Sequence, residues 1–472
     1  MHARALTGSD LADAKAGPGA LAPGSPPPVA APGGPAGGGT AGGGAGGGSA
    51  APGGAAAGGP ALAGSLAGVR GRARALRELL DRPLTPYYLI LGITALLLLL
   101  GLVMVLSTGS IRDLTAGYSP YSDFIKQLVG VLVAIPVTWV VARSSPRVFR
   151  AAGYPLLAVS IIGLALTFIP AVSPPVNGAS RWIMIGPVQF QPSELAKLAL
   201  VVWGADLLAR KEKLGLLRDW RHMLVPLMPG AGLLAMLVIA GDDLGTTIIL
   251  VIILLALLWV AGAPGRVFTL MLILMGLVLV LLMVTSPYRA ERLTSFLNPR
   301  SDLGGVNYQG NNGLVALGSG GFFGVGLGAS GAKWGYVPED WSDYIFAIIG
   351  EELGLVGTLC VTALYGALAY AGLRVARRAE DTFSRLAAAA ITIWVAMQAI
   401  VNMGAVIGVL PITGIPLPLV SEGLSSVLVT MVALGVLMSF ARRAPGAREA
   451  LAARGPSLGE HALSWLGRGR HR

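Results

Sequence analysis

The stretch YLILGITALLLLLGLVMVL, from Tyr88 to Leu106, contains no charged residue and decides the class of fold. At about 1.5 Å of helical rise per residue, a run of this length crosses the roughly 30 Å hydrocarbon core of a bilayer. The whole chain is 54% hydrophobic and 12% charged, which is too apolar for a water-soluble fold of 472 residues. We therefore expect an all-α membrane protein with about ten transmembrane helices. The further runs begin near Lys126, Tyr154, Ser193, Met223, Thr246, Val267, Tyr344, Leu386 and Ser425.

The two ends of the chain differ in composition from its middle. Residues 1–83 are mostly Gly, Ala and Pro without hydrophobic periodicity, so they cannot bury enough apolar surface to offset chain entropy. They predict a disordered tail, and they lack the basic start, apolar stretch and cleavage site of a signal peptide. Residues 84–443 form the predicted membrane domain, and residues 444–472 form a predicted basic C-terminal tail.

The positions of Lys and Arg predict how the chain is oriented, because cytoplasmic loops carry an excess of both. If the N-terminal tail is cytoplasmic, every basic loop falls on the cytoplasmic side, and so does the C-terminal tail. The net charge of +11 follows from this bias and does not indicate nucleic-acid binding. The predicted outer segments are 108–124, 171–192, the turn at 241–245, the long loop 286–342 between helices 7 and 8, and 408–424, which could instead dip into the membrane.

The histidines and the cysteine restrict the chemistry available on the outer side. Cys360 is the only cysteine, so an internal disulfide is excluded, and we expect it to pack within the eighth span. An outer general base must be a carboxylate, or a lysine with a shifted pKa, because no histidine is predicted there. All four histidines fall on the predicted cytoplasmic side, at His2, His222, His461 and His471.

The segment NGASRWIMIGPVQFQPSELAK, Asn177–Lys197, places polar groups beside long apolar runs, where such groups are costly. Arg and Lys beside a helical bundle commonly hold phosphates or carboxylates, so Arg181 and Lys197 suggest a phosphorylated lipid substrate. Two simpler interpretations stay open. Glu194 and Lys197 could merely pair one helical turn apart, with Ser193 as the helix cap. Arg181 could be a snorkelling residue at the membrane interface.

Several motifs occur together and in order over about residues 85–443. They are NGASRWI with PSELAK, DLGT at 243–246, the spacing from Asp302 to Gln309, AKWGYVPE with SDYIFAIIGEELG, and GVLPITGIPLPLVS at 408–421. In these motifs the chain resembles the SEDS family (shape, elongation, division and sporulation) of cell-wall polymerases. The resemblance implies a ten-span protein that polymerises peptidoglycan outside the cytoplasmic membrane, with the lipid-linked disaccharide pentapeptide lipid II as substrate.

The resemblance also implies roles for individual residues. In the family, a sugar hydroxyl of the acceptor attacks the anomeric carbon of the donor and a polyprenyl pyrophosphate leaves, with one inversion. Such a step needs one base and stabilisation of the leaving group, but no covalent nucleophile. Asp302 matches the family's essential aspartate and is the predicted catalytic base. Roles in binding pyrophosphate or sugar are implied for Arg181, Lys197, Lys333, Glu194, Asp243, Gln309, Ser330 and Asp343.

Metal ligation is not predicted for any residue, since no Cys/His spacing typical of a metal site is present. A divalent cation, Mg²⁺ or Mn²⁺, could still bridge pyrophosphate and carboxylates. The sequence does not decide whether one is needed.

The chain departs from the family's pattern at several positions without changing Asp302 or Arg181. These changes allow a specialised or weakly active paralogue. Asp242 and Leu303 replace prolines, Asn312-Gly313 replaces Gln-Ser, Trp341-Ser342 stands where His-Thr or His-Asn is common, and SEGLSS at 421–426 replaces Ser-x-Gly-Gly-Ser-Ser.

The AKWGYVPE form and the long N-terminal tail are similar to division members of the family in high-GC Gram-positive bacteria. This likeness implies septal cell-wall synthesis in the cytoplasmic membrane. It also implies a class B penicillin-binding transpeptidase as partner, besides membrane lipid and other division proteins, and no nucleic acid. The alternatives are a lipid II flippase, an elongation or sporulation paralogue, and a non-catalytic scaffold for the transpeptidase.

Overall fold

Helices make up nearly all of the regular structure. The computed structural model of the chain describes residues 82–174, 180–186, 188–285, 296, 298, 305 and 307–452. Within these residues the one sheet is an antiparallel hairpin of β1 (Ile183–Ile185) and β2 (Val188–Phe190). The helices are α1 (Thr85–Thr115), α2 (Ser122–Arg143), α3 (Pro146–Leu166), α4 (Pro192–Lys213), α5 (Trp220–Leu224), α6 (Leu227–Ala240), α7 (Leu244–Val260), α8 (Gly265–Thr285), α9 (Tyr308–Ser319), α10 (Ile345–Arg378), α11 (Thr382–Val406), α12 (Leu424–Ala441) and α13 (Ala447–Ala452), with a 3₁₀ turn at Leu216–Arg218.

Each of the ten predicted apolar runs coincides with a helix. In the described part of the chain, seven helical segments are long and apolar enough to cross a membrane, and Leu244–Val260 and Gly265–Val278 are shorter apolar helices. The remaining run, the fourth in chain order, forms α4, and Glu194, Lys197 and Asp206 in its interior lower its hydropathy. The prediction of an all-α membrane protein is confirmed. The short hairpin at 183–190 was not predicted.

The charged residues of the spans gather at the two ends of the helical bundle. At the end that we call the basic end, Arg150 Nε donates to Asp206 Oδ1 at 2.6 Å. At the opposite end, the loop end, Arg112 in the first predicted outer segment contacts Glu422 in the last one at 2.7 Å. The loop end thus collects segments that the sequence assigns to the outer side. Which end faces the cytoplasm stays a prediction.

The segment between α11 and α12 enters the bundle without forming a helix. A Cβ atom added at Gly101, in the interior of α1, would lie 2.5 Å from the carbonyl oxygen of Leu419. The hydroxyl of Tyr365, in the interior of α10, donates to the carbonyl oxygen of Pro418 at 2.5 Å. Both helix residues are far from the ends of their spans. The segment therefore dips into the bundle, as the sequence allowed.

The helix α10 is interrupted at Gly354, whose φ of 67° and ψ of −164° are not helical. The loop 320–328 packs against this interruption. The N–H groups of Val325 and Gly326 donate to helix carbonyls there at 2.9 and 3.1 Å. A Cβ atom at residue 354 would lie only 2.4 Å from the backbone nitrogen of Gly324, so only glycine fits.

Cys360 is exposed on the surface of α10, so the prediction that it packs within the protein was wrong. The buried face of this part of the helix is formed by Val361, Tyr365 and Leu368. Those residues recur at helical spacing, and Cys360 lies outside their stripe. The side chain therefore points away from the bundle.

Candidate functional site at the loop end

Lys197 lies near the start of α4 and is 1% exposed. Its ammonium group donates to Glu194 Oε1 at 2.8 Å and to Gln398 Oε1 at 2.9 Å, and it lies 5.2 Å from the centre of the Trp394 ring. Among the described residues, Glu194 Oε2 is buried and has no hydrogen-bond partner. Because a buried acceptor without a donor is costly, the pair has capacity for one more donor, such as a substrate hydroxyl or amide.

The Glu194–Lys197 pair is a local helical pair, as the simpler interpretation held, but it also has a partner on another helix. Gln398 lies on α11, and its Oε1 accepts from Trp394 Nε1 at 2.8 Å as well as from Lys197. Its Nε2 donates to the carbonyl oxygen of Pro416 at 3.1 Å. Non-helical backbone inside a membrane domain needs such side-chain partners. Gln398 therefore connects the buried charge to the segment that dips into the bundle.

Asp243 joins the turn before α7 to the start of α4. Its Oδ1 accepts from the N–H of Thr246 at 3.0 Å, which caps α7. Its Oδ2 accepts from Gln191 Nε2 at 2.9 Å and from Ser193 Oγ at 3.1 Å. Ser193 thus does not cap its own helix, and α4 begins without a side-chain cap.

Arg181 contacts the same turn from the preceding loop. Its Nε donates to the carbonyl oxygen of Gly241 at 3.3 Å, and its Nη2 donates to the carbonyl oxygen of Asp242. These contacts give Arg181 a defined place, in contrast to a residue that only snorkels to the interface. A guanidinium carries five N–H donors, so donors remain for an anion. The small cleft beside it is also lined by Leu164, Thr167, Ser180, Ser193, Leu237, Val238, Gly241 and Asp243.

Lys333 lies in a second polar cluster, between α1 and α10. Its Nζ donates to Gly328 O at 2.6 Å, to Ser107 Oγ at 3.1 Å and to Glu352 Oε1 at 3.3 Å, and its side chain is 4% exposed. To bind pyrophosphate, this ammonium group would have to exchange its present partners for the phosphate oxygens. That role stays a prediction.

Ser330 lies beside Lys333 and contacts a different carboxylate. Its Oγ donates to Glu351 Oε2 at 2.5 Å. The N–H groups of Gly331 and Ala332 donate to the same carboxylate at 3.0 and 3.3 Å. Glu351 therefore fixes the loop 330–332 to α10, and Ser330 is buried behind it.

Gln309 and Asp343 lie on either side of the loop that precedes α10. Gln309 is half-buried, and its Nε2 donates to the carbonyl oxygen of Pro338 at 3.0 Å in a contact that is exposed. Asn402 Nδ2 donates to the carbonyl oxygens of Asp343 and Ile415, at 2.7 and 2.8 Å. Since Asn402 follows Gln398 by one helical turn on α11, Asp343 and Lys197 are attached to neighbouring turns of one helix.

Asp302, the predicted base, lies outside the described residues, and its role stays a prediction. Among the described residues, no three His, Cys, Asp or Glu side chains lie close enough together to hold a metal ion. The described side chains alone therefore do not form a metal-binding set.

Arg112 is a residue that the sequence reasoning missed. It forms ion pairs with Asp123 and, at 2.7 Å, with Glu422, and its guanidinium lies 4.2 Å from the centre of the Trp341 ring. The sequence did contain a signal, because Arg112 and its neighbour Asp113 are the two charged residues of the first helix, which is otherwise uncharged. Nearby Asp340 is 4% exposed, and burial raises its pKa to about 7 against the opposing field of Arg112.

The arrangement at the loop end combines cations, a carboxylate with spare acceptor capacity, and irregular backbone held by side chains. Arg181 and Lys197 are cations of the kind that bind anionic groups, and their role toward a substrate stays a prediction. The described residues hold no hydrolase triad, and the chemistry that they support is the stabilisation of negative charge.

Comparison with known proteins shows which family the sequence of this chain matches. Residues 87–445 match the model of the FtsW/RodA/SpoVE family, described as cell cycle proteins. The chain is 43% identical over 376 residues to a probable peptidoglycan glycosyltransferase FtsW of Mycobacterium bovis, covering 79% of this chain and 71% of that protein. It is 37% identical over 352 residues to the FtsW of Coxiella burnetii, which is also named a probable peptidoglycan glycosyltransferase, covering 74% of this chain and 94% of that one.

Solved structures have the same fold. A peptidoglycan synthase complex that coordinates polymerization and crosslinking contains a chain 26% identical to this one, with a TM-score of 0.61, covering 75% of this chain and 97% of that chain. The rod shape determining protein RodA of Thermus thermophilus is 24% identical, with a TM-score of 0.54 and coverage of 75% and 96%, which supports the fold alone. The chain belongs to the FtsW/RodA/SpoVE family, in agreement with the motifs that indicated SEDS proteins.

Proposed function

We propose that this protein is a peptidoglycan glycosyltransferase that polymerises lipid II at the outer face of the cytoplasmic membrane. The observation that supports this proposal most strongly is the buried Lys197–Glu194 pair, which has an unpartnered carboxylate oxygen among the described residues. Ion pairs in membrane spans are expensive and usually serve a substrate pathway. The names of the relatives support the reaction, and the apolar helices support a location in the membrane.

In the proposed mechanism, the side chain of Asp302 accepts the proton from the acceptor's sugar hydroxyl as that oxygen attacks the donor's anomeric carbon. The bond from this carbon to the pyrophosphate oxygen breaks, with one inversion. Arg181 and Lys197 stabilise the negative charge of the leaving pyrophosphate. Glu194 and Gln398 hold the Lys197 ammonium group in place, as their distances of 2.8 and 2.9 Å support.

Septal cell-wall synthesis is the proposed cellular role. Its support is the naming of the relatives as FtsW and the family's description as cell cycle proteins. We further propose a class B penicillin-binding transpeptidase as partner, because the similar solved chain belongs to a complex that couples polymerization to crosslinking. Docking of such a partner would favour an active state of the loops by population shift.

Reconstitution with labelled lipid II tests the proposal against a flippase. The purified protein, with its transpeptidase partner, is placed in liposomes that contain lipid II, and glycan chains are resolved by electrophoresis. We expect polymer that depends on this protein. Transfer of lipid II between leaflets without polymer would instead support the flippase. The absence of both polymer and transfer would support the scaffold.

A further inference from the structure

The loop 320–336, which follows α9, exposes large apolar side chains at the loop end. Phe322 is 71% exposed and Phe323 is 84% exposed. Leu327, Trp334 and Tyr336 are each about 60% exposed or more. Residues 318–332 contain no charged side chain. A contiguous exposed apolar surface of this kind marks a contact with another apolar phase.

The depth of this loop follows from the helix against which it packs. At about 1.5 Å per residue, α10 from Gly354 to Arg374 spans about 30 Å, which is the thickness of the hydrocarbon core. Arg374 begins the basic group at the other end of the helix. If that group lies at one membrane surface, the interruption at Gly354 lies at the opposite boundary of the core.

The first span gives the same depth independently. The apolar run of α1 from Tyr88 to Ser107 also spans about 30 Å. Ser107 Oγ donates to Glu352 Oε1 at 2.6 Å, which places the end of that run level with the interruption of α10. Glu352 and Lys333 are therefore buried at the boundary, behind the exposed loop, and Ser107 beside them is half-buried.

The aromatic residues lie just on the hydrocarbon side of this boundary. The N–H of Val356 donates to the carbonyl oxygen of Phe322 at 3.2 Å, so Phe322 is level with the first residues of the membrane-spanning part of α10. Leu355, Val356 and Leu359 on that helix are 46%, 55% and 59% exposed. The surface of the loop is thus continuous with the lipid-facing surface of α10.

We propose that Phe322 and Phe323 insert into the bilayer leaflet at the loop end, with Trp334 and Tyr336 at its headgroup level. Aromatic side chains are enriched at that level because one edge is apolar and the other is polar. The loop 320–336 is then an interfacial anchor. It holds Lys333 and Ser330 at the membrane boundary, where, on the proposed function, the phosphate of a lipid-linked substrate would lie.

Spin-label accessibility tests this anchor without reference to activity. Cys360 is exposed and is first replaced by serine, and a nitroxide is then attached in the Phe323→Cys variant. The protein is reconstituted in nanodiscs of phosphatidylethanolamine and phosphatidylglycerol. Power saturation then compares collisions with oxygen, which concentrates in lipid, and with a nickel chelate, which stays in water. Labels in Val356→Cys and Tyr118→Cys give the lipid and aqueous references, since both positions are exposed on α10 and on the loop between α1 and α2.

We expect the oxygen-to-nickel accessibility ratio at 323 to match that at 356 and to exceed that at 118 severalfold. A ratio at 323 equal to that at 118 would overturn the proposal, because the loop would lie in water. Low accessibility to both reagents would also overturn it, since the position would then be covered by protein, such as a second copy of the chain. If Phe323→Cys does not give folded protein, Phe322→Cys provides the same comparison.

Discussion

Arg112 and Glu422 lie 310 positions apart in the sequence and form an ion pair of 2.7 Å at the loop end. Glu422 also donates its backbone N–H to the carbonyl oxygen of Trp341 at 3.0 Å, and Trp341 stacks on Arg112. Trp341 and Glu422 are two of the positions at which the chain departs from the family's usual pattern. Arg112 therefore contacts two residues, Trp341 and Glu422, at which the chain differs from the family's usual sequence.

Removal of Arg112 should destabilise the protein through this cluster. Arg112→Met leaves Glu422 without its ion-pair partner and leaves Asp123 with Lys126 alone, and we expect a loss of about 1–3 kcal/mol in the free energy of unfolding. The double variant, Arg112→Met with Glu422→Gln, should lose less stability than the sum of the two single losses. The reason is that Glu422→Gln removes the charge that Arg112→Met leaves uncompensated. Chemical unfolding in detergent measures both values.

Lys126 provides the matched control for this cycle. It also contacts Asp123, at 2.9 Å, but its side chain is 66% exposed. Lys126→Met should cost no more than about 0.5 kcal/mol. Strict additivity of Arg112→Met and Glu422→Gln would mean that the pair is not coupled in the way described.

Gln398 should be needed to hold Lys197 in place. Gln398→Leu removes the acceptor of Lys197 and Trp394 and leaves the carbonyl oxygen of Pro416 without its donor. We expect a loss of about 3 kcal/mol in stability. A Gln309→Leu variant loses only an exposed contact to Pro338 and should change stability by less than about 1 kcal/mol. Equal melting temperatures for the two variants would refute the assigned role.

The carboxyl group of Asp340 should make stability depend on pH. Its pKa of about 7 in the folded protein lies above the ordinary value of 3.8, so folding favours the protonated form. The contribution of this group to stability is complete below about pH 4 and is lost as the pH rises to about 7. We expect the Asp340→Asn variant to lose less melting temperature than the parent between pH 5 and pH 7.5. Parallel pH profiles for both proteins would contradict this.

Gly354 should not tolerate a side chain. In Gly354→Ala, the added Cβ would meet the backbone of Phe322 and Gly324, and the positive φ would be strained. We expect a loss of about 2 kcal/mol or more in stability and faster proteolysis within 320–328. Gly366 is the control on the same helix, since a Cβ there meets nothing within 4 Å. If Gly354→Ala is as stable as Gly366→Ala, the loop does not depend on the interruption of α10.

The helices could be predicted because hydrophobicity is a local property of the sequence. Every apolar run gave a helix, including α4, where Glu194 and Lys197 interrupt the pattern. The interruption at Gly354 could not be predicted. It depends on backbone hydrogen bonds with a loop about thirty residues earlier, and many other glycines of the chain do not break their helices.

The candidate site was predicted only in part, for a related reason. Motifs identified Lys197, Arg181 and Asp243, but the partners of these residues lie on other elements. Gln398 is 201 positions from Lys197, and its side chain carries no charge that a search for acids and bases would register. Arg112 was not identified from the sequence, because it lies in the last turn of a span and belongs to none of the family motifs.

The assignment of Asp302 as the base is the central claim about mechanism. The direct measurement is polymerisation of labelled lipid II by the purified Asp302→Asn variant together with the transpeptidase partner. We expect polymer to be abolished while the melting temperature and partner binding match those of the parent protein, because asparagine keeps the size of the side chain but cannot accept the proton. Glycan chains formed by Asp302→Asn at the parent's rate would contradict the account.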